Sequence, residues 1–134
     1  MEVIYQFKTK QIEQLHHLYQ SEWWSKGRSL EETHRCIHGS QICIGILDKA
    51  ETLVGFARVI TDFTFKAFIF DVIVAKDHRT SGVGKTLLDL IRSHQDLKYV
   101  QHLELYCLPE LEAFYEKLGF SSKVGRVKLM RITR

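Results

Sequence analysis

Residues 71–86, DVIVAKDHRTSGVGKT, run from an apolar strand through a glycine-bearing turn into a helix. The inner face of that helix carries four apolar residues, Val83, Leu87, Leu88 and Ile91. Glycines at the start of a helix let the backbone approach a ligand, and the free N–H groups together with the helix dipole favour an anion. The stretch therefore predicts a strand–turn–helix unit whose turn, Arg79–Thr86, binds phosphate. An ordinary turn without a ligand is the alternative.

Two known phosphate-binding motifs match this turn only in part. The P-loop motif G-x-x-x-x-G-K-[ST] has its last three residues here, but Arg79 occupies its first glycine position. The dinucleotide motif G-x-G-x-x-G begins with Gly82 and Gly84, but Leu87 replaces the third glycine. No acidic residue closes the following strand at the distance that this motif requires. Both nucleotide-binding alternatives are therefore disfavoured.

The remaining pattern predicts a single α+β domain over residues 1–134, with a mixed central sheet and about four flanking helices. Short turns join the middle strands, which should therefore be antiparallel neighbours. The strand after the glycine turn needs a crossover and should be parallel to the strand before it. The predicted strands are Val3–Phe7, Gln41–Leu47, Thr52–Thr61, Lys66–Ala75, Tyr99–Cys107 and, as an edge or bulged strand, Gly125–Arg134. The predicted helices start near Thr9, Ser29, Val83 and Pro109.

The composition is ordinary for a globular protein, with 45% hydrophobic and 26% charged residues in a chain of 134. A net charge of +3 is too small to argue for a nucleic-acid partner. No apolar run approaches the roughly 18 residues of a membrane span, and Met1–Phe7 lacks the features of a signal peptide. We therefore expect a cytoplasmic protein with no membrane partner, and Cys36, Cys43 and Cys107 as reduced, mostly buried thiols.

Two motifs together resemble the GNAT superfamily of acetyl-CoA-dependent N-acetyltransferases, in particular its small stand-alone bacterial members. The first is R-x-x-G-x-G at Arg79–Gly84, and the second is F-Y-E-K-L-G-F at Phe114–Phe120. The resemblance implies that the strands before and after the glycine turn splay apart and that coenzyme A enters the gap. It also implies which residues bind acetyl-CoA, the co-substrate: backbone groups of Ile73 and Val74, and the turn with its charges, Arg79, Ser81, Gly82, Val83, Gly84, Lys85 and Thr86.

This sequence departs from the family pattern at two positions near the turn. Thr80 stands where a glycine is common, and Lys76 where a proline is common. Neither residue removes an N–H donor. We therefore expect binding to survive, with a changed loop shape at most.

Acetyl transfer to a primary amine needs a neutral nucleophile, a stabilised oxyanion and a proton for the leaving thiolate. The resemblance makes Tyr115 the proton donor, although its place on an apolar helical stripe would by itself favour core packing. Asp71, in an apolar strand, is a candidate general base because burial would raise its pKa; a structural carboxylate is the alternative. Glu104, Glu22 or a water chain could serve instead. A backbone N–H near Val74 could hold the oxyanion.

A covalent mechanism through Cys107 is disfavoured because no residue is placed to activate its thiol. We therefore expect direct transfer in a ternary complex. Trp24 and Arg28 are weak candidates for acceptor binding, since Trp23 continues the apolar stripe of the first helix and Trp24 breaks it; simple packing of Trp24 is as plausible. No metal is expected, because the pair His34 and His38 lacks a third ligand.

The expected partners are a small-molecule or peptide amine and, as is common in this superfamily, a second copy in a homodimer. Two alternatives stay open. One is a non-catalytic acetyl-CoA- or acyl-CoA-binding module on the same fold. The other is a small nucleic-acid-binding protein built on the basic tail, although a solvated edge strand explains those charges more simply.

Overall fold

The computed structural model describes residues 1–134 as one five-stranded sheet with helices on both faces. The strands lie in chain order across the sheet. They are β1 (Glu2–Ile4), β2 (Ile42–Leu47), β3 (Leu53–Thr61), β4 (Lys66–Val74) and β5 (His102–Leu105). The first four are antiparallel to their neighbours and β5 is parallel to β4. The predicted mixed sheet is confirmed.

Four helices flank the sheet: α1 (Thr9–Tyr19), α2 (Leu30–His38), α3 (Val83–Arg92) and α4 (Glu112–Lys117). A capping box precedes α2, as the pattern Ser29-x-x-Glu32 indicates. Ser29 Oγ accepts from the Glu32 N–H, and Glu32 accepts from the Ser29 N–H. Short 3-10 turns occupy Lys76–His78, Gln95–Leu97 and Pro109–Leu111. No helix combines the length and the apolar character that crossing a membrane requires.

The sheet separates two apolar cores. The core under α3 and α4 includes Ile44, Val59, Ile69, Leu87, Leu88, Ile91 and Tyr115. The core under α1 includes Leu15, Tyr19, Cys43, Phe56 and Ile73. The sheet is therefore covered on both faces, which explains why its inner strands are almost entirely apolar.

β4 contains a bulge at Asp71. Phe70 lies opposite Arg58 and Ile73 lies opposite Phe56, so three steps along β4 match two steps along β3. Asp71 has a φ of 56°, a left-handed conformation that costs a non-glycine residue on the order of 1 kcal/mol or more. Bulges bend a strand and increase its twist. β4 therefore changes direction at Asp71.

The same bulge lets one strand supply both cores. Residues four apart on a regular strand point to the same face. Ile69 nevertheless packs in the α3 core and Ile73 in the α1 core. The extra residue between them reverses the alternation.

β4 and β5 are paired along only part of β4. The last register pair is Ile69 with Leu105, and residues 70–74 have no partner on β5. The splayed strands implied by the family resemblance are therefore present. We call this divergence the fork.

Several local predictions are wrong. Residues 125–134 form no strand. Although β5 is an edge of the sheet, the tail is not paired with it, and an alternating segment without a paired neighbour is not stable as a strand. α1 ends at Tyr19, so Trp23 does not continue its stripe and is 72% exposed, whereas Trp24 packs against the α1 core. Only Cys43 is buried; Cys36 is half-buried and Cys107 is exposed.

A substitution at Gly55 tests how closely α3 approaches β3. A Cβ built on Gly55 would lie 2.6 Å from Val83 Cγ1, and a valine side chain has little rotamer freedom with which to move away. Gly55→Ala should therefore lower the free energy of unfolding in urea by about 1–3 kcal/mol. In the Gly55→Ala/Val83→Ala double variant part of that loss should disappear, with a coupling energy of at least about 0.5 kcal/mol. Strict additivity of the two changes would show that the close approach is not the cause.

Candidate active site

The fork leaves backbone groups of β4 without a strand partner. The Ala75 N–H donates to Val54 O on β3 at 2.8 Å, and Val74 lies directly opposite Gly55. In an antiparallel ladder this makes Val74 and Gly55 a non-hydrogen-bonded pair, so the N–H and C=O of Val74 point away from β3. The Val74 C=O accepts from Arg79 Nε at 3.3 Å. The Val74 N–H therefore points into the fork.

Ile73 lies differently from Val74. The same alternation turns its backbone toward Phe56 on β3, and its side chain is buried in the α1 core. Of the two β4 residues predicted to present backbone groups to a ligand, only Val74 faces the gap.

The glycine turn presents unpaired N–H groups at the start of α3. Gly82 is the N-cap residue with a φ of 86°, and the first helical hydrogen bond runs from the Thr86 N–H to Gly82 O at 2.9 Å. The N–H groups of Val83, Gly84 and Lys85 therefore precede the helical ladder. An anion at this position would meet three donors and the positive end of the helix dipole.

Thr80, the departure from the family pattern, adopts the backbone conformation that a glycine would take there. Its φ is 74°, and a β-branched residue is a genuine outlier in this region. The turn is thus kept at the cost of local strain. Thr80 is therefore accommodated without the predicted change of loop shape.

The two predicted cations of the turn already have acidic partners. Arg79 forms an ion pair with Glu22 at 2.5 Å, and Lys85 forms one with Asp89 at 2.6 Å. Because both pairs are partly exposed, each is worth at most about 1 kcal/mol and can exchange for a ligand. Glu22, an alternative general base, is occupied by the first pair.

The hydroxyls of the turn are also engaged. Ser81 Oγ donates to His78 O, and Thr86 Oγ1 donates to Gly82 O at 3.0 Å. Both side chains therefore fix the shape of the turn.

Tyr115 is a buried ring of the α3 core with a free hydroxyl. Its ring makes edge-on contacts with Phe114 at 5.1 Å and Phe120 at 6.0 Å between centroids. Burial, and then the neighbouring Cys107, raise the pKa of the phenol, and no hydrogen bond to another side chain acts on it. At neutral pH the hydroxyl is therefore protonated and able to donate.

Asp71 is bound by three donors at the bulge. Its Oδ2 accepts from Tyr19 Oη at 2.8 Å, from Arg28 Nη1 at 2.8 Å and from Arg58 Nε at 2.6 Å. Arg28 Nη2 lies 3.4 Å from Oδ1. The carboxylate side chain is only 6% exposed. We call Asp71, Arg28, Arg58 and Tyr19 the bulge cluster.

The expectation that burial raises the pKa of Asp71 is wrong. Burial alone would raise it, but hydrogen bonds and charges from Arg28 and Arg58 outweigh burial and hold the pKa below its ordinary value. A carboxylate with such a low proton affinity is a poor general base at neutral pH. Asp71 instead fixes two guanidinium groups in position.

Arg28 and Trp24, which were both predicted to bind the acceptor, lie close together. The Arg28 guanidinium lies 4.6 Å from the centroid of the Tyr19 ring and 5.4 Å from that of Trp24. Sequence reasoning missed Tyr19, which looked like a core residue of α1, and Arg58. A single charge inside the apolar strand Leu53–Thr61 was the available signal for Arg58.

Two other candidate catalytic residues from the sequence, Glu104 and Cys107, are not suited to that role. Glu104 forms an ion pair with Lys66 at 2.5 Å. Lys66 begins β4, at the end of that strand where β4 and β5 are paired. Burial and then the nearby Glu112 raise the pKa of the Cys107 thiol, which therefore stays protonated at neutral pH and is a weak nucleophile. No group of three or more His, Cys, Asp or Glu side chains is arranged to hold a metal ion.

A groove of about 570 Å³ lies on the α1 face, between that helix, the β2–β3 turn and residues 75–78. None of the predicted site residues lines it. The predicted site residues therefore lie outside this groove.

Comparison with known proteins identifies the family of this chain. A family model described as the acetyltransferase (GNAT) domain matches residues 39–122. An uncharacterized N-acetyltransferase, ycf52, of Porphyra purpurea is 34% identical over 137 residues, which is 95% of this chain and 75% of that protein. A putative acetyltransferase of the GNAT family from Xanthomonas campestris pv. campestris has 28% identity and a TM-score of 0.82, with 100% of this chain and 94% of that chain covered.

An aminoglycoside 6'-N-acetyltransferase in complex with coenzyme A has a similar fold at lower coverage. Its TM-score is 0.58 with 20% identity, over 69% of this chain and 53% of that chain. The fold, the two motifs and these relatives agree, and the chain therefore belongs to the GNAT family and is an acetyltransferase.

Proposed function

We propose that this enzyme transfers the acetyl group of acetyl-CoA to a primary amine by direct attack while both substrates are bound. The observation that carries the proposal is the fork itself. It combines an inward-facing Val74 N–H with the start of α3, and the α3 core holds Tyr115, whose hydroxyl has no side-chain partner. A cytoplasmic location, a single domain over residues 1–134 and a homodimer stay predictions.

The residues present fit acetyl-CoA, which supplies an activated acetyl thioester when bound. The N–H groups of Val83, Gly84 and Lys85 are suited to the pyrophosphate. Arg79 and Lys85 would add positive charge by exchanging their carboxylate partners for phosphate. Ser81 and Thr86 shape the turn that presents these donors.

At the reacting carbon, the amine nitrogen forms a bond to the acetyl carbonyl carbon and the carbon–sulfur bond breaks. The Val74 N–H is the donor suited to the developing oxyanion. Tyr115 is the donor suited to the departing sulfur, which leaves as a thiol. The amine must also lose a proton. Asp71 is a poor acceptor because its pKa is lowered, and Glu22 is paired with Arg79 until that arginine turns to phosphate. We assign that proton to water in the open fork, and water returns a proton to the Tyr115 phenolate to complete the cycle.

Tyr115→Phe tests the proton donor. The substitution removes one hydroxyl and keeps the ring packing, so kcat in a thiol-release assay should fall by about 10²-fold or more. The Kd for coenzyme A, measured by calorimetry, should change by less than about threefold. Tyr99→Phe, at an exposed ring, is the matched control and should leave both quantities unchanged. An unaltered kcat for Tyr115→Phe across the pH range would remove Tyr115 from the mechanism.

Asp71→Asn tests the structural role of the bulge cluster. Because the folded-state pKa is lowered, the stabilisation from the carboxylate is complete above the unfolded-state value of about 3.9 and is lost as the pH falls below it. At pH 7 the substitution should lower the free energy of unfolding in urea by about 3 kcal/mol, since two guanidinium groups lose their partner. This difference should shrink toward pH 3.

Asp96→Asn, at an exposed carboxylate, should change stability at neither pH. A second readout separates structure from catalysis. If Asp71 were the general base, Asp71→Asn would abolish the rise of kcat/KM with pH. We expect the shape of that pH profile to be retained by the folded variant.

A further inference from the structure

We propose that the acceptor is an amine that also carries a carboxylate and a planar aromatic ring, with Arg28 and Arg58 binding the carboxylate. This inference rests on the proposed transfer of an acetyl group to an amine and leaves that reaction unchanged. It concerns only the face of the fork toward α1 and α2.

The bulge cluster carries an excess positive charge. Two guanidinium groups share a single carboxylate, so its net charge is +1. Arg28 and Arg58 are only 27% and 14% exposed, which makes this charge poorly screened by solvent. Glu32 also lies close enough to feel the charge of Arg28, but it is exposed and accepts from the Ser29 N–H. A dicationic amine would therefore be repelled and an anionic group attracted.

Both guanidinium groups keep unused donors. An arginine has five N–H donors. Arg28 directs two nitrogens at Asp71, and Arg58 directs Nε at Asp71 and Nη1 at Ser40 Oγ, 3.3 Å away. The remaining N–H groups have no partner in the chain, and a carboxylate is the ligand that their planar geometry fits.

These donors are also held in place. Arg28 is packed against the rings of Tyr19 and Trp24, and Arg58 lies 5.2 Å from the centroid of the Phe70 ring. A donor that is already fixed loses little conformational entropy on binding. The arrangement is therefore more typical of a recognition site than of two mobile surface charges.

An aromatic surface adjoins these arginines. Phe68, Phe70 and Tyr106 have neighbouring rings with centroids 5.9–6.1 Å apart. Phe70 and Tyr106 directly follow the last paired residues of β4 and β5, so these two rings lie where the strands separate. Tyr106 is 51% exposed. Rings that are not covered by the chain offer offset or edge-on contacts to an aromatic ligand.

The two features lie at one place. Arg58 contacts both Asp71 and the Phe70 ring, and Asp71 precedes Val74 by three residues on the same strand. A strand rises about 3.3 Å per residue, so a ligand that occupies the arginines and the rings has its amine within about 10 Å of the Val74 N–H along β4.

Four amines separate the parts of this proposal in a thiol-release assay with acetyl-CoA: phenylalanine, phenethylamine, alanine and spermidine. Phenethylamine lacks the carboxylate and alanine lacks the ring. Phenylalanine should have a kcat/KM at least tenfold above each of the other three, because each missing group forfeits a charge-assisted or aromatic contact. A binding readout is independent of turnover: with coenzyme A present, N-acetylphenylalanine should bind at least tenfold more tightly than N-acetylphenethylamine in calorimetry.

Two variants assign the preferences to residues. Arg28→Gln should lower the phenylalanine-to-phenethylamine ratio of kcat/KM at least fivefold, and Tyr106→Ala should lower the phenylalanine-to-alanine ratio by a similar factor. Arg35→Gln removes an exposed arginine on α2 and should leave both ratios unchanged. Coenzyme A binding by each variant reports whether the fold is intact.

The outcomes distinguish the two levels of the account. A higher kcat/KM for spermidine, phenethylamine or alanine, or ratios that Arg28→Gln and Tyr106→Ala do not alter, overturns the acceptor assignment and leaves the acetyltransferase proposal standing. Absence of thiol release with all four amines, together with equal binding of the two N-acetyl compounds, overturns the acceptor assignment and counts against transfer to a primary amine as well.

Discussion

The bulge at Asp71 is the constraint on which the site depends. A residue with positive φ in the middle of a β-strand is unfavourable, and here it is held by Tyr19, Arg28 and Arg58. The bulge follows the last pairing between β4 and β5, so the strand turns where it leaves its neighbour. One buried ionic cluster thereby accounts for both the shape of β4 and the opening of the fork.

The bulge also explains how two faces of the sheet contribute to one site. By reversing the alternation, it sends Ile69 to the α3 core and Ile73 to the α1 core. Tyr115 belongs to the α3 core, and Arg28 lies on the α1 side. The Val74 backbone lies between them. The chemistry we propose therefore needs both cores to be intact, although neither core contains a complete set of reactive groups.

The sequence was sufficient for features encoded by neighbouring residues. The glycine turn, the capping box at Ser29 and the parallel strand after α3 are all local patterns, and each is present. The environment of Asp71 was not predictable, because its partners lie 13, 43 and 52 positions away in the chain. No periodicity brings such residues together. The packing of Trp23 and Trp24 is the reverse of the prediction for a simpler reason. Because α1 ends at Tyr19, the helical pattern does not extend to these residues, and Trp24 rather than Trp23 faces the core.

The central claim is that the fork and the start of α3 bind coenzyme A, and amide chemical-shift mapping by NMR during a coenzyme A titration tests it most directly. The account predicts the largest changes at the amides of Val74, Val83, Gly84 and Lys85. The Ala75 amide, already bonded to Val54 O, should change less. Changes centred instead on the groove between α1 and the β2–β3 turn would contradict the account.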